Sequence, residues 1–172
     1  LIREMTTPGR ILLLVFAIAL PQFTQAQSAY DVLLSTLYSK SVPTISADSL
    51  ASIQQAKKPV LLDTRAKAEF DVSHLLGAKW VDYETFKPEM VKDIAKDQPI
   101  VVYCSVGYRS EKIGEKLKAL GYSDVENLYG GIFEWKNEGH TVVNSKNQTT
   151  DSVHCYNKLW SVWLKEGIKV YD

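Results

Sequence analysis

A cysteine and an arginine lie five positions apart in a short polar segment whose surroundings could support nucleophilic chemistry. Cys104 directly follows the apolar run 99–103, and Arg109 comes just before a stretch with helical periodicity. Ligands of open α/β sheets bind at the carboxyl ends of the strands. Backbone N–H groups at a helix N-terminus bind anions and lower the pKa of a thiol, and an arginine adds a planar, charged fork. The segment 104–110 therefore predicts a reactive thiolate in an anion-binding loop.

Apolar strands and amphipathic helices alternate around this segment. Residues 58–63 and 99–103 are short apolar runs, as expected for strands that are buried on both faces. Residues 111–120 place apolar side chains at helical spacing and stop before Gly121, a common C-terminal cap. Further elements are predicted as helices at 48–55 and 85–96 and a strand at 125–128. This alternation predicts an α/β fold with a central parallel sheet that is flanked by helices on both faces.

The composition excludes several classes of protein. The chain has 172 residues, with 20 Lys plus Arg against 20 Asp plus Glu, and only two cysteines. One domain is the default at this length. Two cysteines cannot build a disulfide-rich scaffold or a four-Cys zinc site, and no His or Cys cluster has metal-ligand spacing. A formal net charge of zero argues against a general nucleic-acid binder, so we expect no metal and no nucleic-acid partner.

Residues 1–26 have the pattern of a secretory signal peptide. Arg3 and Arg10 precede the apolar run 11–20, and the small-residue site 24–26 follows. The run is shorter than the roughly 20 residues that span a bilayer. Cleavage after Ala26 predicts an exported protein, periplasmic or secreted and most simply in a bacterial envelope, with no membrane association afterwards. An uncleaved anchor or a core helix is the alternative.

The rest of the chain divides into three predicted parts. Residues 27–42 form an N-terminal lead-in segment with a short helix at 30–40, whose apolar face would carry Val32, Leu33 and Leu37. Residues 43–145 form the α/β domain. Residues 146–172 form a linker and a C-terminal amphipathic helix, which is predicted at 156–165 and would pack back on the domain.

Three separated motifs resemble those of the single-domain rhodaneses, the thiosulfate sulfurtransferase-like proteins. The resemblance covers about residues 45–143. Its segments are Leu61-Leu62-Asp63-Thr64-Arg65 with Glu69-Phe70 and His74-Leu75-Leu76-Gly77-Ala78, then Cys104-Ser105-Val106-Gly107-Tyr108-Arg109-Ser110, and then Gly121-Tyr122 through Gly130-Gly131 to Trp135. One departure is that Val72-Ser73 precede His74, where the family often has a glycine. The resemblance implies a rhodanese-like fold.

The resemblance also implies a mechanism. Cys104 would accept a sulfane sulfur from thiosulfate or a related small anionic donor, become a persulfide, and pass the sulfur to cyanide, a thiol or a protein acceptor. Arg109 would neutralise the donor, and Tyr108 would influence the choice of acceptor. No metal or organic cofactor is required. The implied substrate-binding residues are Arg109, Ser105, Val106, Gly107, Tyr108 and Ser110, of which the backbone amides of 105–110 would cradle the persulfide and the two serines would donate hydroxyl hydrogen bonds.

Other interpretations of the same residues stay open. The domain could be a non-catalytic binding or persulfide-carrier module, or a cysteine-dependent phosphatase of the same fold. Such phosphatases place five residues between Cys and Arg, whereas four intervene here. Asp63 and Arg65 are either a structural ion pair that supports the loop, or Arg65 is a second charge at the pocket rim. Cys155 is an inert thiol, a resolving thiol that pairs with Cys104, or a partner for another chain.

Overall fold

Five parallel strands form the central sheet of the computed structural model, which describes residues 22–171. The strands are β1 (Thr44–Ile45), β2 (Val60–Asp63), β3 (Lys79–Trp80), β4 (Ile100–Tyr103) and β5 (Val125–Leu128). Their order across the sheet is β1-β5-β4-β2-β3. β4 lies in the middle, and all four of its residues are buried, as its β-branched sequence predicts. The strand that leads into Cys104 therefore has a hydrogen-bonded neighbour on each side and is buried along its whole length.

Helices cover both faces of this sheet, which confirms the predicted α/β class. The helices are α1 (Gln22–Leu37), α2 (Ala47–Gln54), α3 (Lys67–Val72), α4 (Tyr108–Ala119) and α5 (Gly131–Asn137). Alternate side chains of β4 enter two separate cores, with Val101 and Tyr103 on one face and Val102 on the other. Helices α1, α2 and α5 pack on the first face, and α4 packs on the second. The period of two along a strand explains this division.

The predicted helix at 85–96 is wrong. Only a single 3-10 turn, Pro88–Val91, forms there. Pro88 has no backbone N–H to donate to an earlier turn, so a helix cannot run through it without losing a hydrogen bond. The Asp82 carboxylate also accepts hydrogen bonds from the Glu84 N–H and the Thr85 hydroxyl. These local bonds favour a turn over a helix in the residues before Pro88.

The helix of the lead-in segment is longer than predicted and its buried face is only partly as predicted, since Leu33 and Leu37 pack against the core but Val32 does not. Helix α1 runs from Gln22 to Leu37, and the buried residues are Tyr30, Leu34 and Tyr38. Val32, predicted on the apolar face, is 61% exposed. Both tyrosines reach loops of the α/β domain with their hydroxyl groups, so tertiary hydrogen bonds select the face that packs.

The predicted signal peptide falls mainly outside the described residues. Residues 1–21 are not described, and residues 22–26 belong to α1. Within 22–171, no helix has the length and apolar character needed to cross a bilayer.

The C-terminal segment is not the predicted linker and amphipathic helix. Strand β6 (Val142–Val143) pairs antiparallel with β7 (Thr149–Thr150), and β8 (Ser152–His154) pairs in parallel with β9 (Ile168–Val170). Between them lies one 3-10 turn, Trp160–Trp163. Tyr156 has a φ of 62° and Leu164 a ψ of 108°, so the backbone leaves the helical region at both ends of the predicted helix.

Candidate active site

Cys104 lies at the carboxyl end of β4, where the chain turns through a tight loop into α4. Its side chain is 1% exposed. The Gly107 N–H donates a hydrogen bond to Cys104 Sγ at 3.1 Å. Gly107 is the N-cap of α4 with a φ of 98°, and a Cβ there would lie 2.0 Å from Tyr38 Oη. The loop thus needs glycine at this position to bring a backbone donor to the sulfur.

All four carbonyl groups of the loop are bound from outside it. The pairs are Cys104 O with Ile132 N–H (2.9 Å), Ser105 O with Phe133 N–H (3.1 Å), Val106 O with the Tyr38 hydroxyl (2.7 Å), and Gly107 O with the Asn127 amide (2.9 Å). The described peptide bonds are all trans, so the N–H that follows each carbonyl points the opposite way. Among the loop N–H groups, that of Gly107 donates to Cys104 Sγ, and the wider cradle of backbone amides stays a prediction.

Arg109 is bound by a carboxylate that the sequence did not single out as a site residue. Its Nη1 and Nη2 donate to the two oxygens of Glu69 at 2.8 Å each, and Nη2 also donates to the Ser105 hydroxyl at 3.1 Å. The Ser105 hydroxyl itself donates to Glu69 at 3.0 Å. Burial raises the pKa of Glu69, but hydrogen bonds and charge from Arg109 outweigh it and hold that pKa below its usual value. The positive charge predicted for the loop is thus compensated.

Replacing Glu69 with glutamine is expected to lower the free energy of unfolding by about 1.5–3 kcal/mol near neutral pH, because charge-assisted hydrogen bonds are lost beside a desolvated guanidinium. A carboxyl whose pKa is lowered on folding stabilises the protein above its usual pKa of 4.5, and that stability is lost as the pH falls through the folded value. The difference between parent and Glu69→Gln should therefore shrink below pH 4.5 in urea unfolding. A difference that widens in acid contradicts this account, and Glu89→Gln, at an exposed carboxylate, is the control.

The other predicted substrate-binding side chains have different surroundings. The Ser110 hydroxyl donates to Asn127 Oδ1 at 2.7 Å in the buried interior, and Asn127 in turn binds the Gly107 carbonyl. Ser110 therefore supports the loop through Asn127 rather than facing its centre. Tyr108 is exposed at the mouth of the loop.

Asp63 and Arg65 form a fully buried ion pair at the carboxyl end of β2. Both side chains are 0% exposed. Arg65 Nη2 donates to Asp63 Oδ2 at 2.6 Å and to the Ser73 carbonyl at 2.6 Å. Arg65 therefore does not reach the pocket rim, and the geometry is that of the structural pair.

A cavity of about 480 Å³ opens beside Cys104. Its walls come from the reactive loop and α4, from α1, from the connections that follow β2 and β3, and from the C-terminal segment. They are Leu37, Ala66, Glu84, Cys104, Ser105, Val106, Tyr108, Arg109, Tyr156 and Trp160. Sequence reasoning missed five of these, Leu37, Ala66, Glu84, Tyr156 and Trp160, as site residues. Nothing in local spacing connects them to Cys104, since three lie in segments that were predicted to lie apart from the reactive loop.

Cys155 is a buried free thiol. Both cysteines are free in the structure, and Cys155 is 0% exposed among core side chains. Burial raises the pKa of its thiol, which keeps it in the unreactive protonated form. The structure favours the inert thiol among the alternatives for Cys155.

Three potential metal ligands meet on the surface away from the cavity. Asp48, Glu138 and His140 have ligand atoms within 4.8 Å of one another, the only such group among residues 22–171. His140 Nε2 lies 3.1 Å from Asp48 Oδ1. This is ordinary ion-pair geometry, so we assign the group no metal. The sequence could not reveal it, because the fold brings together two distant segments.

The chain resembles known proteins over its central part. A family model described as a rhodanese-like domain matches residues 46–138, more than half of the chain. A Bacillus pumilus protein named tRNA uridine(34) hydroxylase is 42% identical over 83 residues, which is 45% of this chain and 26% of that protein. A Listeria monocytogenes protein of the same name is 41% identical over 85 residues, 46% of this chain and 27% of its own length. The chain thus spans about a quarter of the length of these relatives.

Solved structures support the same fold. The solution structure of a rhodanese-like domain from Anabaena has a TM-score of 0.55 at 23% identity and covers 59% of this chain and 79% of that domain. A thiosulfate sulfurtransferase from Pseudomonas aeruginosa has a TM-score of 0.56 at 19% identity and covers 72% of this chain and 23% of that protein. At these identities the likeness concerns the fold alone.

The names of the curated relatives correct two expectations. The expected thiosulfate sulfurtransferase, with thiosulfate as partner, is contradicted, because those relatives are named for hydroxylation of a tRNA uridine. The expected absence of a nucleic-acid partner is contradicted by the same names. Net charge was a poor guide here, since it averages over the whole surface and says nothing about one pocket. The broader expectation of an enzyme is supported.

Proposed function

The chain belongs to the rhodanese-like domain family, and from this premise we propose that it is a cysteine-dependent enzyme that acts on a uridine base in RNA. The relatives that share its central part are named for that substrate. The observation that carries the proposal is the hydrogen bond from the Gly107 N–H, at the N-terminus of α4, to Cys104 Sγ beside a cavity with aromatic walls. A backbone donor at a helix N-terminus favours a nucleophilic sulfur, and the cavity of about 480 Å³ has room for a base.

Cys104 has the role of a nucleophile. Its thiolate adds to C6 of the uracil ring, so that an Sγ–C6 bond forms while the C5–C6 π pair moves towards the C4 carbonyl oxygen. Water returns a proton to C5, and loss of that proton with expulsion of the thiolate restores uracil. This addition needs no oxidant. The Gly107 N–H holds the sulfur before addition and after expulsion.

Hydroxylation, the activity named for the relatives, replaces a C–H bond with C–OH. This is a two-electron oxidation, so the assay supplies dioxygen and a two-electron reductant. One oxygen atom enters the nucleoside, and the other leaves as water with two protons. The carbanion character that thiolate addition creates at C5 makes that carbon the site of attack on the oxidant.

Replacing Cys104 with serine is expected to lower uridine hydroxylation by at least about 10³-fold, because an alcohol at neutral pH is a far weaker nucleophile than a thiolate. The measurement is mass spectrometry of nucleosides from tRNA that was incubated with the chain, dioxygen and the reductant, and the signal is uridine heavier by one oxygen.

Cys155→Ala is the matched control, since Cys155 is the other free cysteine and lies in the core. It should retain activity. Equal activity of Cys104→Ser and the parent would remove the proposed role of Cys104. An inactive parent that also fails to exchange the C5 hydrogen of uridine in D₂O would overturn the proposed function.

The compartment of the chain provides a second test. The pattern in residues 1–26 supports export as a competing proposal, because an exported enzyme would not meet the tRNA that serves translation. Fractionation of cells that express the tagged full chain, with intact mass of the product, distinguishes the two. An exported product without residues 1–26 contradicts action on tRNA, and an intact cytoplasmic product contradicts export.

A further inference from the structure

Part of the wall of the cavity beside Cys104 comes from segments outside the family match. The match covers residues 46–138. Leu37 on α1 precedes it, and Tyr156 and Trp160 follow it. These side chains lie beside a loop that the family pattern describes, yet the pattern does not include them. They are therefore the part of the pocket that the family match does not account for.

Arg109 lies over the aromatic ring of Tyr156. Its ring centroid lies 5.5 Å from Arg109 Cζ, in cation–π geometry. The side chain is nevertheless 56% exposed, so most of the ring is free to contact a ligand. The Tyr156 N–H donates to His154 Nδ1 at 3.1 Å, which ties this left-handed residue to strand β8.

Trp160 is held in place by its own turn. The Asn157 side-chain oxygen accepts hydrogen bonds from the N–H groups of Leu159 and Trp160, at 2.9 and 3.1 Å. At the other end of the turn, Trp163 stacks on Tyr30 with ring centroids 5.3 Å apart. Trp160 is half-buried against the core. The pocket thus has one aromatic wall that is anchored on the domain.

The charge balance of the pocket disfavours a small anion as its occupant. Glu69 binds both terminal nitrogens of Arg109 at 2.8 Å, so an anion entering the cavity finds a cation that is already paired. A cavity of about 480 Å³ is also within the usual range of sites for organic ligands. An uncharged planar ring matches both the volume and the aromatic walls.

We propose that Tyr156 and Trp160 are specificity-determining residues that hold a planar, uncharged heterocycle by stacking beside Cys104. The inference rests on the proposed function in that the heterocycle is the uracil of RNA. Stacking on a fixed ring is selective for the π-face of a base and indifferent to the phosphates. Tyr156 and Trp160 then position the ring, and Cys104 reacts with it.

The test measures binding separately from turnover. Isothermal titration calorimetry of the full chain uses a short oligouridylate and an abasic ribose–phosphate oligomer of equal length and charge. Tyr156→Ala and Trp160→Ala should each weaken oligouridylate binding by about 5–100-fold, whereas Tyr156→Phe should stay close to the parent. Leu159→Ala is the control, because Leu159 is exposed beside Trp160 and does not line the cavity.

The outcomes separate this inference from the proposed function. Binding that depends on Tyr156, favours the base-bearing oligomer and changes little with salt supports stacking, even where no hydroxylation is seen. Hydroxylation whose KM is unchanged in Tyr156→Ala and Trp160→Ala overturns the inference and leaves the function standing. Equal binding of the two oligomers, with a steep salt dependence, also overturns it, since phosphate contacts would then dominate.

Discussion

Replacing Asp63 with alanine is expected to lower the free energy of unfolding by about 3–5 kcal/mol, because it leaves the Arg65 guanidinium buried without a counter-charge. Both side chains are completely buried. Arg65 Nη1 already lacks a hydrogen-bond partner among the described residues. No nearby acceptor among these residues is therefore available to replace the Asp63 carboxylate. The Ser73 carbonyl is the one acceptor left to its Nη2. Urea unfolding measures the effect.

Two further variants show whether the buried charge is the cause. Lys67 and Asp71 form an exposed ion pair on α3, so Lys67→Ala should change the stability by no more than about 1 kcal/mol. Replacing both Asp63 and Arg65 with leucine removes the charges together and should recover most of the loss. A double variant as unstable as Asp63→Ala would mean that packing, and not the unpaired charge, sets the cost.

Replacing Gly131 with alanine is expected to lower Cys104-dependent activity by about 100-fold, because the new Cβ displaces the reactive loop. That Cβ would lie 2.3 Å from Cys104 O and 2.7 Å from Ser105 O. These are backbone atoms, and α5 holds both carbonyls through the N–H groups of Ile132 and Phe133. Relief of the contact must move the loop or break these bonds. Overpacking should also lower the free energy of unfolding by about 1–3 kcal/mol.

Gly121→Ala is the control that separates the effect of the new Cβ contact from the effect of backbone strain. Gly121 has a φ of 90°, as Gly131 has a φ of 58°, but a Cβ at Gly121 meets nothing within 4 Å. An alanine at either position incurs a left-handed conformation, with a cost of about 1 kcal/mol. Gly121→Ala should therefore be slightly less stable than the parent and equally active. Full activity of Gly131→Ala would show that the loop tolerates displacement.

The central fold was readable from the sequence wherever burial was continuous. The continuous apolar run 99–103 predicts a strand that is buried on both faces. The structure has β4 there, and every residue of β4 is buried. Helix α4 was predicted from its apolar spacing and its stop before Gly121, and it forms at Tyr108–Ala119. For these elements the local sequence pattern and the tertiary environment favour the same structure, so the pattern alone was enough to predict them.

Prediction failed where distant residues decide the conformation. Val32 was placed on the buried face of α1, yet hydrogen bonds from Tyr30 to Gly130 and from Tyr38 to Val106 turn other residues inward. The C-terminal segment has apolar spacing that suits a helix, but pairing of β8 with β9 determines its course. Pairings of this kind join residues far apart in the chain and leave no periodic signal in either partner.

The sequence by itself determined the fold class and the position of the reactive thiol. A buried strand, a glycine-containing loop and a following helix dictate where Cys104 stands and which way backbone N–H groups can point. Only the tertiary structure decided the charge and shape of the site. Glu69 reaches Arg109 across 40 residues and cancels its charge, and Tyr156 and Trp160 return from the C-terminal segment to form the wall. Backbone geometry is encoded locally, whereas charge compensation and cavity walls depend on side chains that folding brings together.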